Sequence, residues 1–124
     1  MVHRELNTTL NTSLPKAGFI QIFNWLLGRL KRYRVAGLSM DPTLADGQTV
    51  LVNPKAYKAT QPVVGEIVLA TLPSTSNPCI KRVEALVEGQ VDLRGDNPSQ
   101  STDSRTVGLI SSSDILGQVI CTFP

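Results

Sequence analysis

Apolar residues recur at three- and four-residue steps early in the chain: Phe19, Ile20, Ile22, Phe23, Leu26, Leu27 and Leu30. That spacing predicts a helix over residues 16–32 with one apolar face. Gln21, Asn24 and Gly28 break the set, and the basic run Lys31-Arg32-Tyr33-Arg34 follows it. From Val35 onward the pattern reads as short strands. QTVLVN at Gln48–Asn53 follows an Asp46-Gly47 turn signal, and GEIVLAT spans Gly65–Thr71. Cys79–Leu86, Gln90–Arg94 and Gly117–Thr122 complete the set. Asn53-Pro54, the Pro/Ser-rich stretch Leu72–Pro78, Glu88-Gly89 and Asp96-Asn97-Pro98 separate them as turns. The expected fold is mainly β, a compact, partly closed sheet or barrel with one N-terminal amphipathic helix. No repeat of 20–50 residues and no Gly-rich phosphate loop is present.

Two segments are expected. Residues 1–33 form a polar leader plus the basic helix, and residues 34–124 form the strand-rich main domain. Residues 1–13 carry Asn7, Thr8, Thr9, Asn11, Thr12 and Ser13 and read as a loose leader. They lack the apolar core and cleavage site of a signal peptide. The apolar run of the helix is about a dozen residues, against roughly 20 needed to span a bilayer. One reading packs this helix on the domain. The other lays it in a lipid interface, with the basic cluster on headgroups and residues 16–34 making a peripheral membrane contact. The expected location is cytoplasmic, with or without that membrane association.

A length of 124 residues is enough for a core without disulfide or metal staples. With 41% hydrophobic and 18% charged residues, the composition is that of a globular protein. A net charge of +2 is too small to argue for nucleic acid as a partner. Cys79 and Cys121 have no metal-ligand spacing and read as two free thiols of a reducing compartment. His3 is the one histidine, so a zinc site lacks its usual imidazole ligands and a Ser-His-Asp triad would have to use His3 in the loose leader. No metal and no cofactor are expected. If the chain performs acyl transfer, the base must be another residue, and lysine is the main candidate.

Gly37-Leu38-Ser39-Met40-Asp41-Pro42-Thr43-Leu44 places a serine between a glycine and a Met-x-Pro corner. Ile80-Lys81-Arg82-Val83 puts a Lys/Arg pair inside an apolar run. A serine hydroxyl is a weak nucleophile until a base takes its proton. A lysine serves as that base only if its pKa falls by several units from about 10.4. Burial does this by penalising the ammonium form. Strand alternation would turn Lys81 inward and Arg82 to solvent, with the Arg82 charge lowering the Lys81 pKa a little further. A third block, Gly95-Asp96-Asn97-Pro98-Ser99-Gln100-Ser101-Thr102-Asp103-Ser104-Arg105, supplies a polar loop.

Taken together, GxSMxPTL, KRV and GDNxxxSxDSR resemble the signal peptidase I family (S26), the membrane-bound Ser/Lys peptidases that remove leader peptides. The resemblance covers about residues 34–122. It implies Ser39 as nucleophile and Lys81 as general base, with Ser101 orienting the lysine. Asp103 and Arg105 would brace the site, and Gly95, Asp96 and Asn97 would form the turn into it. Met40, packed beside the nucleophile, and Pro42 would belong to the substrate pocket. The Ser39 main-chain N–H would be one oxyanion donor. Gly37 stands where some members carry a serine that supplies the second, so a backbone group or water must substitute. The chain also departs from larger members in lacking a long insertion before the GDN block and a full transmembrane anchor before the serine.

The short form, WLLGRLKRYRVAGLSM and GDNPSQSTDSR are most similar to the nickel-type superoxide dismutase maturation proteases. That likeness implies a partner: the precursor of a nickel superoxide dismutase, whose leader is trimmed to free a nickel-ligating N-terminal amine. The nickel would belong to the substrate. A minimal signal peptidase acting on exported preproteins is the alternative within the class. A self-cleaving repressor-type domain would need a helix-turn-helix that about 34 residues with one helix cannot supply. A catalytically dead binding module would have lost Ser39 or Lys81, and both are present.

Overall fold

The computed structural model describes residues 13–73 and 77–123. The expectations for His3 and for the leader up to Thr12 lie outside the described residues. Helix α1 (Phe19–Leu26) is followed by β1 (Lys31–Arg34), β2 (Thr49–Asn53), β3 (Ile67–Ala70), β4 (Cys79–Val87) and β5 (Gln90–Arg94). A short helix α2 (Ser104–Val107), β6 (Ile110–Ser111) and β7 (Ile115–Phe123) complete the chain. Among the described residues, the seven strands form one antiparallel sheet in the order β1-β2-β7-β3-β4-β5-β6. The expected mainly-β, partly closed architecture is the one observed. At the open side, the Tyr33 hydroxyl of β1 donates to the Pro78 carbonyl just before β4, 2.6 Å away. This bond draws one edge of the half-barrel toward its middle.

All four residues of β3 are buried. Both of its faces are covered, Ile67 and Leu69 by one apolar cluster and Val68 and Ala70 by another, which is why Ile-Val-Leu-Ala carries no polar alternation. On one face Val35, Met40, Leu44, Val50, Val52, Ile67, Leu69, Ile80 and Val119 form a cluster. On the other, Val68, Ala70, Leu72, Val83, Val91, Leu93 and Ile110 do. β7 holds the halves together by pairing with β2 on one side and β3 on the other.

The helix is shorter than the periodicity predicts, and the strands begin earlier. Gly28 adopts φ +79, a left-handed conformation that glycine reaches without steric cost. Its N–H bonds Trp25 O and the Arg29 N–H bonds Asn24 O, both at 2.9 Å, which is a Schellman ending. The basic run is therefore not a helical extension: Lys31–Arg34 pairs with Thr49–Val52 as an edge strand. At the other end the Gln21 side chain caps the Gly18 N–H at 2.8 Å.

The helix is fastened by its less apolar side. Trp25 meets Phe123 edge-on with ring centroids 4.7 Å apart, and the Arg32 guanidinium covers the Trp25 ring. Just before the helix, the Ala17 N–H bonds Thr122 O and the Thr122 N–H bonds Pro15 O. Leu30 packs on Leu51 and Cys121. No residue of α1 itself is buried.

Candidate functional site

Lys81 lies in β4 directly opposite Val68 of β3, on the face that also carries Val83. It is 3% exposed. Burial holds its ammonium pKa below the ordinary 10.5; Cys79 and Asp103 pull it up, and the Arg105 charge pushes it down. The Lys81 Nζ donates to Ser101 Oγ at 3.1 Å, and Ser101 Oγ donates in turn to Asp103 Oδ2. Ser101 thereby gives away its one hydrogen and can only accept from the lysine.

Asp103 is fully buried. Its carboxylate accepts from the Gly95 N–H at 2.8 Å, the Arg105 N–H at 3.1 Å and the Arg105 guanidinium at 3.0 and 2.7 Å. Burial pushes the carboxyl upward, but these donors and Ser101 outweigh it and hold the group well below the usual carboxylate range. Asp103 also starts α2, whose first turn returns Arg105 onto it. Arg105 closes the loop by a further guanidinium bond to Gly95 O at 3.1 Å.

Ser39 sits half-buried in the turn between β1 and β2, held from below by Met40, which is 1% exposed in the core. The Asn97 N–H bonds Ser39 O at 2.8 Å, and Asn97 Nδ2 bonds Leu38 O at 3.0 Å. Gly95 lies between the two parts of the site. A Cβ there would stand 2.6 Å from Ser39 O and closer still to Ser101 Oγ. Only glycine lets the serine turn and the Lys81–Ser101–Asp103 chain approach this closely. Gly95→Ala is expected to cost about 1–3 kcal/mol in denaturant unfolding. A loss below about 0.5 kcal/mol would mean that the two segments are not tightly packed there.

Beside Ser39 opens a cavity of about 40 Å³, lined by Tyr33, Val35, Ala36, Met40, Pro78, Cys79 and Ile80. Met40 lines this cavity, whereas Pro42 is exposed and does not. Burial raises the Cys79 thiol pKa, so this cysteine is kept from being a thiolate nucleophile. Both cysteines are free. The Gly37 N–H is committed to Asp46 Oδ1 at 2.8 Å and is not available to an oxyanion.

Arg82 corrects the alternation argument. It does not point to solvent but is 6% exposed, and its guanidinium grips Asp96 through two bonds of 2.9 and 2.8 Å. A third bond reaches Gly65 O at 2.8 Å. The same Asp96 carboxylate accepts from Thr43 Oγ1 at 2.6 Å. Burial raises the Asp96 pKa, and the bonds from Arg82 and Thr43 more than offset that, leaving it below its ordinary value. Asp96 is thus the tie between β4, the Gly95–Asn97 turn and the serine turn. The cation that lowers the Lys81 pKa is Arg105 rather than Arg82, whose charge Asp96 neutralises. Sequence reasoning missed the roles of Arg82 and Thr43. Their presence inside two of the three motif blocks was the available signal.

Among the described residues, no group of three or more His, Cys, Asp or Glu side chains is placed to hold a metal ion. No curated protein matches the chain significantly. The family model for signal peptidase, peptidase S26, matches residues 10–94. Ser39 and Lys81 fall inside that span, while Ser101, Asp103 and Arg105 follow it.

Proposed function

The chain belongs to the signal peptidase S26 family, and on that premise we propose that it is a Ser/Lys endopeptidase removing an N-terminal leader from a precursor protein. The observation that carries this reading is a buried lysine with a lowered pKa, bonded to a serine that can only accept from it. A neutral amine that gives one N–H to Ser101 keeps its lone pair for another proton. Ser39 Oγ supplies that proton as it attacks the scissile carbonyl carbon. The Ser39 main-chain N–H stabilises the developing oxyanion. Collapse of the tetrahedral intermediate breaks the C–N bond, and Lys81 returns the proton to the leaving amine. Lys81 then deprotonates the water that attacks the acyl-serine, releasing the leader as a carboxylate and regenerating Ser39.

The preferred substrate in this reading is the precursor of a nickel superoxide dismutase, supported by the GDNPSQSTDSR and WLLGRLKRYRVAGLSM segments. Proteolysis suits that task because an acylated backbone nitrogen is a poor amine ligand, so nickel loading must follow cleavage. The nickel is then bound by the product. A second reading, cleavage of exported preproteins at a membrane, is favoured by the exposed apolar side of α1. Co-expression of the precursor with wild type or Ser39→Ala, followed by intact mass of the product, separates them. Leader removal by wild type alone is the expected result. An intact precursor in both strains rejects this substrate and leaves exported preproteins to be tested the same way.

A further inference from the structure

α1 is fixed to the sheet in a way that turns its apolar side outward. Trp25 and Ile22 are half-buried on the inner side, with Trp25 held by Phe123 and Arg32. At about 100° per residue, Phe19, Ile20, Phe23 and Leu26 fall on one continuous stripe, with Leu27 beside them. Their exposures run from 51% at Leu27 and 52% at Phe23 to 84% at Phe19. A contiguous apolar patch of this kind marks an interaction surface.

The charges around it identify the occupant. Residues 13–40 contain Lys16, Arg29, Lys31, Arg32 and Arg34 and no Asp or Glu. Lys16 precedes the helix, Arg29 and Lys31 follow it, and all three are exposed. Among the described residues, no carboxylate forms an ion pair with any of the five. A second copy of this chain would bring two such cationic sets face to face. A surface that is apolar inside and anionic outside complements both features at once. We propose that α1 lies in the interface of an anionic lipid leaflet, with Phe19, Ile20, Phe23, Leu26 and Leu27 among the acyl chains and Lys16, Arg29 and Lys31 at the headgroups. No helix among the described residues is long and apolar enough to cross a membrane, so this is a peripheral contact through α1. It is independent of the peptidase reading and requires neither Ser39 nor Lys81.

The test is co-sedimentation of the full chain with vesicles of phosphatidylglycerol and phosphatidylcholine, or of phosphatidylcholine alone. Binding is expected to the anionic vesicles and to weaken sharply in high salt. Phe23→Ser with Leu26→Ser should lower partitioning about tenfold or more. Because both side chains are exposed, the melting temperature should hold. Arg29→Gln with Lys31→Gln keeps the apolar face and should weaken anionic binding by about fivefold per charge removed. No sedimentation with anionic vesicles, or equal binding to both compositions, would overturn the proposal. So would self-association without lipid that the Phe23/Leu26 variant abolishes, which would assign the face to a second copy.

Discussion

Lys81→Met is expected to lower leader cleavage by about 10²- to 10⁴-fold, the usual contribution of a general base, while leaving the protein as stable as wild type or more so. The two effects have one cause. Lys81 is 3% exposed and its ammonium form is penalised by that burial. An unbranched apolar side chain of similar length removes the penalty and keeps the packing against Val68 and Val83. Lys81→Arg should be equally inactive, because a guanidinium is not neutral at any working pH. The wild-type pH profile should share this origin. Cleavage requires the neutral amine, so activity rises with pH through the Lys81 pKa, and the midpoint lies below the ordinary 10.5 because burial lowers it. Unfolding curves and cleavage rates for the variants, with a wild-type rate profile, check this. A flat profile between about pH 6 and 10 would remove lysine as the base.

Arg82→Met is expected to cost about 3–5 kcal/mol, the usual consequence of removing one partner of a buried ion pair, and to lower the melting temperature by about 10–20 °C. Arg82 and Asp96 side chains are 7% and 12% exposed, so little solvent is present to replace the lost bonds. Asp96 would retain Thr43 as a donor but lose both bonds from the guanidinium. The β4 strand, the Gly95–Asn97 turn and the Ser39 turn would then lose their common tie, and cleavage should fall along with stability. Arg82→Lys keeps the charge without the planar fork and should recover only part of the loss. A cost below about 1 kcal/mol, the range of a surface pair, would show that the three segments are held by their other contacts, the Asn97 bonds to Ser39 and Leu38 among them.

Much of this protein is legible from residue order, because the signals are local. Alternation, apolar runs and turn residues located β2, β3, β4, β5 and β7, since each strand carries its own pattern and is bounded by Pro, Gly or Asn-Pro breaks. Ser39, Lys81 and the Gly95–Arg105 block stood out because motif spacing is itself a sequence property. The end of the helix was also written locally, in Gly28, but the apolar period runs through it to Leu30 and masks it. β1 was missed because Lys-Arg-Tyr-Arg has no strand pattern of its own. It becomes a strand through its ladder with β2.

What only the tertiary structure decided concerns pairs far apart in the chain. Alternation placed Arg82 in solvent, a rule that holds for a sheet with one wet face, whereas the carboxylate of Asp96 gave this cation a reason to be buried. The environment of Lys81 depended on Val68 across the sheet and on Ser101 and Asp103 beyond β5. The need for glycine at position 95 came from two segments converging on it from opposite sides. Likewise, the helical period established that α1 has an apolar side, but which side faces water was decided by Trp25 docking on Phe123 at the far end of the chain. Local sequence determined elements and chemistry-bearing residues, because propensity and spacing act over a few positions. Burial, ion pairing and the direction of the apolar helix face belong to contacts between distant segments, and those exist only once the chain has folded.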